Sequence, residues 1–182
     1  MKKKLETERL ILRPFEITDI EDTYQLIYGD PRIKWGGEGV DWEGVADRVK
    51  YFMDRASCGP FFNWAVVRKA DNQFIGMMAF ESDLANYIIF EEAPDDPYNT
   101  IEVELGYVLG RDYWDQGYAT EAGRAIVDYA FEELKLRRIV SLTSPENKRS
   151  LRVMEKLGNR FEKNLHPDWT HRVVGILENP HK

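Results

Sequence analysis

At 182 residues with 43% hydrophobic and 13% aromatic side chains, the chain has the composition of one globular domain with a sizeable core, which excludes the disordered class. A formal net charge of −7 argues against non-specific binding to nucleic acid or acidic membranes, and the one basic run, Lys2-Lys3-Lys4, reads as a solvated tail. A single cysteine, Cys58, allows no internal disulfide and fits a reducing cytoplasm. No apolar run reaches membrane-spanning length, the N-terminus lacks a signal-peptide stretch, and His166, His171 and His181 lack metal-ligand spacing.

Taken in order, "ERLILRPF" (8–15) alternates as a strand ended by Pro14. Residues 18–30 read as a helix with Thr18 as cap, acids in the first turn, and Gly29 and Pro31 closing it. In 41–57, Trp42, Val45, Val49 and Phe52 or Met53 recur at helical spacing, which predicts a second helix with these side chains on its buried face. Residues 62–69 and 73–82 read as a hairpin, and 83–99, rich in proline and acid, as a long loop. "TIEVELGYVLG" (100–110) alternates strictly as a strand. A helix over 119–134, a short strand over 137–144, a helix over 147–158 and two closing strands complete the chain. Strand 100–109, helix 119–134 and strand 137–143 form a βαβ crossover, so those two strands are expected to be parallel in an otherwise antiparallel sheet.

On strand 100–110, Ile101, Val103, Leu105 and Tyr107 point one way and Glu102, Glu104 and Gly106 the other. Two carboxylates on one face of an interior strand require a wet cleft or arginine partners. In a cleft, their mutual repulsion raises one pKa toward that of a general base. Both arrangements remain open at this level. "WDQGYATEAG" (114–123) follows, and a glycine at a strand-to-helix turn is equally a helix start and an anion site.

The run from "IEVELGYVLG" through "GYATEA", "DYAFEEL" and "ENKRS" to "EKLG" closely resembles the acetyl-CoA-binding core of the GNAT superfamily of N-acetyltransferases. With "ETERLILRPFEITDIEDTYQL" at the front, it is similar to the branch of ribosomal-protein N-terminal acetyltransferases. The resemblance implies an α+β fold over residues 1–182 as one domain, with a mixed, mostly antiparallel central sheet, a parallel βαβ crossover and helices on both faces. It implies acetyl-CoA as co-substrate, with Trp114, Asp115, Gln116, Gly117, Tyr118, Ala119 and Thr120 around its diphosphate, although Trp114 stands where the family has Gln or Arg. Tyr107, Val108 and Leu109 match the segment beside the pantetheine arm, their amides polarising the thioester. Asn147 matches the asparagine that binds pantetheine, with a plain helix cap as its other reading, and Ser150 the small residue beside the cofactor.

Glu104 matches the general base, with Glu102 as the alternate; the helix tyrosine that often serves as acid falls at Val153 and Met154, which cannot donate. "LGNRF" replaces the usual "LGF" and is expected to shift the start of the next strand. The acceptor is implied to be a primary amine, on a peptide N-terminus or a small molecule, and Glu91, Glu92, Asp95 and Asp96 would attract such a cation. A degenerate acyl-CoA-binding module is the rival. Neither nucleic acid nor membrane is an expected partner, and monomer and homodimer both remain open.

Overall fold

The computed structural model describes residues 3–35, 39–84, 88, 101–166 and 172–181. Glu91, Glu92, Asp95, Asp96 and His171 therefore lie outside the described residues. The chain forms one eight-stranded sheet, in the order β1-β2-β3-β4-β5-β6-β8-β7, and its residues cluster into two compact units.

The first unit takes in the described residues up to Phe80 together with Tyr107–Ala125. Here β1 (Leu5–Glu6), β2 (Leu10–Pro14), β3 (Phe62–Arg68) and β4 (Gln73–Leu84, counted here to Phe80) pair antiparallel in sequence order. The expected hairpin is β3–β4, turned at Asn72, whose φ of +54° is a left-handed value that asparagine tolerates. Successive residues Trp64, Ala65, Val66 and Val67 are all buried, so both faces of β3 are covered.

One of these faces carries Phe15, Ala65, Phe74 and Met77 against Ile20, Val45, Val49 and Phe52 from two helices, α1 (Asp19–Thr23) and α2 (Trp42–Cys58). Gly76, at φ +152°, sits where β4 presses on the end of the strand Ile101–Leu109 (β5). A Cβ there would lie 2.3 Å from the Val108 carbonyl oxygen, a space no side chain can enter.

Two expectations fail in this unit. Thr18 has helical dihedrals and makes no capping bond with its side chain. The side-chain bonds at this entry are made by Asp19: it accepts from the Glu16 N–H at 2.8 Å and forms a fork with both terminal nitrogens of Arg13, at 2.7 and 2.8 Å. Trp42 is 46% exposed rather than part of the buried stripe, because it is the first residue of α2 and its indole reaches Glu21 at 3.0 Å. The cap of α2 is Asp41, which accepts from the Gly44 N–H at 2.8 Å, a bond worth about 1 kcal/mol. Helix α1 runs on as a π turn over Tyr24–Tyr28, closed by the Gly29 N–H on the Tyr24 carbonyl.

The second unit holds the described parts of Glu81–Gly106 and Ile126–Lys182. Its strands are the start of β5, β6 (Arg138–Thr143), β7 (Arg160–Lys163) and β8 (Val173–Glu178), with β8 antiparallel to both β6 and β7. Val140, Val174, Ile176 and Ile88 form its core cluster. The predicted crossover helix is α3 (Tyr118–Asp128), which begins in the first unit and ends here in a second π turn, Tyr129–Glu133. As expected, β5 and β6 are parallel. A last helix, α4 (Lys148–Leu157), ends at Gly158 with φ +97°. Asn159 donates from its main-chain N–H and its side-chain amide to the Met154 carbonyl, at 3.0 and 2.9 Å, and β7 starts at the next residue, Arg160.

Candidate functional site

In the second unit, the two glutamates of β5 have different surroundings. Glu102 is 5% exposed, and both its oxygens are taken by the Arg138 guanidinium: Nε lies 3.0 Å from Oε2, and Nη2 is on Oε1. Arg138 opens the parallel neighbour β6, which brings a residue 36 positions away beside the glutamate. Of the two arrangements the sequence leaves open, Glu102 takes the arginine-paired one. Removing Arg138 would strand a buried carboxylate, a loss of about 3 kcal/mol. Glu104 is half-buried and lies opposite Val140 in the parallel pairing of β5 with β6. At the next residue, the Ser141 hydroxyl donates to the Leu105 carbonyl at 2.8 Å, a side-chain tie between the two strands.

In the first unit, β5 finishes with Tyr107, Val108 and Leu109 and turns at Gly110, whose N–H returns to the Ile75 carbonyl at 3.0 Å. A 3₁₀ turn, Arg111–Tyr113, leads to the 114–120 segment. The Trp114 indole N–H donates 2.7 Å to the Leu109 carbonyl, and the Arg111 guanidinium lies 5.0 Å from its ring. The unexpected tryptophan thus ties the segment to the last residue of β5. Asp115 and Gly117 take left-handed φ values, +57° and +84°. The first main-chain bond of α3 runs from the Glu121 N–H to the Gly117 carbonyl at 3.0 Å, so the N–H groups of Tyr118, Ala119 and Thr120 have no partner within their helix. Such a start attracts anions.

A network from the β1–β2 turn and from β3 backs this helix start. The Glu121 carboxylate accepts from the Thr7 hydroxyl at 2.5 Å, the Arg9 main-chain N–H at 2.9 Å and Arg9 Nε at 2.7 Å. Arg9 Nη1 donates to the Gln116 carbonyl at 3.1 Å, and the Gln116 side-chain amide to the Asp112 carbonyl at 2.6 Å. The Arg9 guanidinium also sits 4.5 Å from the centre of the Tyr118 ring. Burial alone would push the Glu121 carboxyl up, but the Thr7 hydroxyl and Arg9 together hold it below its ordinary value of 4.5. Arg68, held above its ordinary value by Asp71 and then Tyr118, braces the same tyrosine from β3.

The start of α4 is simpler. Asn147 is exposed and caps the helix, its Oδ1 accepting from the Ser150 N–H at 3.1 Å. Ser150 is half-buried, with its hydroxyl 3.7 Å from the Met154 sulfur. Met154 is fully buried and Val153 half-buried, and neither side chain can donate a proton.

The structure therefore joins Tyr107–Leu109 to Trp114–Thr120 in one unit, and pairs Asn147 with Ser150 and sets Glu102 apart from Glu104 in the other. Arg9, Thr7, Glu121, Arg138 and Ser141 were missed in the sequence reading. For Arg138, the expected parallel pairing of 100–109 with 137–143 was a usable signal, since it sets an arginine beside two acids. No group of three or more His, Cys, Asp or Glu among the described residues could hold a metal ion.

A family model for the acetyltransferase (GNAT) domain matches residues 9–160. An uncharacterised N-acetyltransferase of Bacillus subtilis, YnaD, is 32% identical over 158 residues, 86% of this chain and 82% of that protein. A GNAT-family acetyltransferase from Bacillus anthracis aligns with a TM-score of 0.70 at 26% identity, over 97% of this chain and 99% of its own. Mycobacterium smegmatis RimJ, solved with CoA-disulfide, gives 0.72 at 18% identity, over 98% of this chain and 87% of its own; at that identity the likeness is one of fold.

Proposed function

The chain belongs to the GNAT acetyltransferase family and is an N-acetyltransferase that uses acetyl-CoA; from that premise we propose that it acetylates a primary amine on a peptide N-terminus, with Glu104 as the base. The observation that carries the reading is the 114–120 turn: two left-handed residues and three helix N–H groups without helical partners make a main-chain cradle for a diphosphate. That fit needs no cationic side chain, so Trp114 in place of Gln or Arg removes no main-chain donor. We also propose that residues 1–182 work as one acetyltransferase domain, since the family model runs through 9–160.

Acetyl-CoA supplies an acyl group whose carbonyl carbon takes the amine while the sulfur leaves as thiolate. The chain's own part is to position and to move one proton. Amides of Tyr107, Val108 and Leu109 orient the thioester carbonyl and stabilise charge on its oxygen. Asn147 Oδ1 is committed to the cap, so its contribution to the pantetheine arm falls to the side-chain N–H. Glu104 takes the amine proton, directly or through a water. Glu102 is unsuited to this role because both its oxygens are engaged by Arg138. The peptide N-terminus, rather than a small amine, is favoured by the resemblance of the opening stretch, "ETERLILRPFEITDIEDTYQL", to the ribosomal-protein branch.

The test is thiol release against peptides with free N-termini, polyamines and aminoglycosides. Turnover confined to small amines sinks the peptide reading. On the best acceptor, Glu104→Gln is expected to lower kcat by about 10²–10⁴-fold with little change in the Kd for acetyl-CoA. A comparable kcat loss for Glu102→Gln in a folded protein would move the base to Glu102.

A further inference from the structure

We infer that Arg9 is a positioning residue for acetyl-CoA: it grips the 114–120 turn from its carbonyl side and so aims the turn's N–H groups at the diphosphate. The inference rests on the reading of that turn as the diphosphate cradle. In a trans peptide the carbonyl and the following N–H point in opposite directions. Arg9 Nη1 holds the Gln116 carbonyl at 3.1 Å, so the Gly117 N–H is turned away from Arg9. The guanidinium lies against the turn itself, since a Cβ on Gly117 would sit 3.4 Å from Nη2. It is held there by the fork on Glu121, with Nε at 2.7 Å and Nη2 at 2.6 Å. Its face on the Tyr118 ring fixes the first residue of α3 as well.

The arrangement solves an electrostatic problem. Glu121 lies in the first turn of α3, where a lone carboxylate would repel a bound diphosphate. Arg9 neutralises that charge and, with the same guanidinium, sets the geometry of the turn. Lysine cannot do both, because it presents a point charge and not a planar fork.

The test compares two thioesters, acetyl-CoA and acetyl-pantetheine, which lacks the diphosphate. In Arg9→Gln the ratio of kcat/KM for acetyl-CoA to that for acetyl-pantetheine is expected to fall about tenfold, through a raised KM for acetyl-CoA. In Arg9→Gln/Glu121→Gln part of that fall is expected to be recovered, since the uncompensated charge is gone. A merely structural role predicts equal losses on both thioesters, and that result overturns the inference, as does an unchanged ratio. Should Arg9→Gln fail to fold, Arg9→Lys carries the test: a several-fold fall in the ratio is expected, and a wild-type ratio overturns it. A wild-type enzyme that uses both thioesters equally well would instead sink the diphosphate reading of the turn, whatever Arg9 does.

Discussion

Helices α3 and α4 begin in opposite ways. The start of α3 is held by residues more than 100 positions away, Thr7 and Arg9, and its turn contains two left-handed residues. The start of α4 is held by itself, through one bond between residues three apart, Asn147 and Ser150. A locally capped start can be had wherever a helix begins. A start braced across the chain is specific to its place. The first is built to hold a fixed shape; the second can offer one exposed amide and little more.

The largest expected effect breaks the rigid start. Gly117→Val forces a β-branched residue to φ +84° with its Cβ against Arg9, and calorimetry should show the Kd for acetyl-CoA rising on the order of tenfold to thirtyfold. Acid should separate the two starts next. The native Glu121 carboxyl titrates below its ordinary value, so the folded state binds fewer protons than the unfolded one, and acid favours unfolding. The stability difference between wild type and Glu121→Gln should be complete above pH 4.5 and vanish as pH falls through the lowered native value. The deficit of Asn147→Ala, about 1 kcal/mol or a few degrees in Tm, should stay constant across that range, since neither cap partner titrates there. The smallest effect sharpens α4 alone. Asn147→Asp keeps the capping oxygen and loses the amide N–H, so Tm should hold while KM for acetyl-CoA rises about threefold to fivefold. A fall in Tm without a change in KM would reduce Asn147 to a cap.

Much of the fold could be read where the signal was local. The β3–β4 hairpin, the strict alternation of β5 and the parallel β5–β6 pair follow from periodicity and turn residues within short windows. The misreadings occurred at helix ends, where residue type and spacing do not say which side chain makes the bonds. Thr18 has the chemistry of a cap, but Asp19, one residue on, takes the bonds from Arg13 and Glu16. Trp42 fits the helical stripe by spacing but stands at the first turn, beyond the core that α2 covers. The site shows the same division. The turn, its glycine and the two glutamates were visible as residues, whereas the choice between Glu102 and Glu104 depends on Arg138, and the bracing of Gln116 and Glu121 on Arg9. Arg9 is marked by no spacing near the residues it serves, and Arg138 only by the expected parallel pairing of its strand with β5.

Gly76 bears on how any survey of tolerated substitutions at this site should be interpreted. Its α-carbon leaves a gap of 2.3 Å between a hypothetical Cβ and the Val108 oxygen, so every other residue would push β4 off the strand that carries Glu104 and Tyr107–Leu109. In a saturation library selected for activity, position 76 would be as invariant as a residue of the chemistry while touching no substrate. Invariance at position 76 would therefore record the spacing of two strands, and only positions that change turnover without changing the yield of folded protein would mark the chemistry.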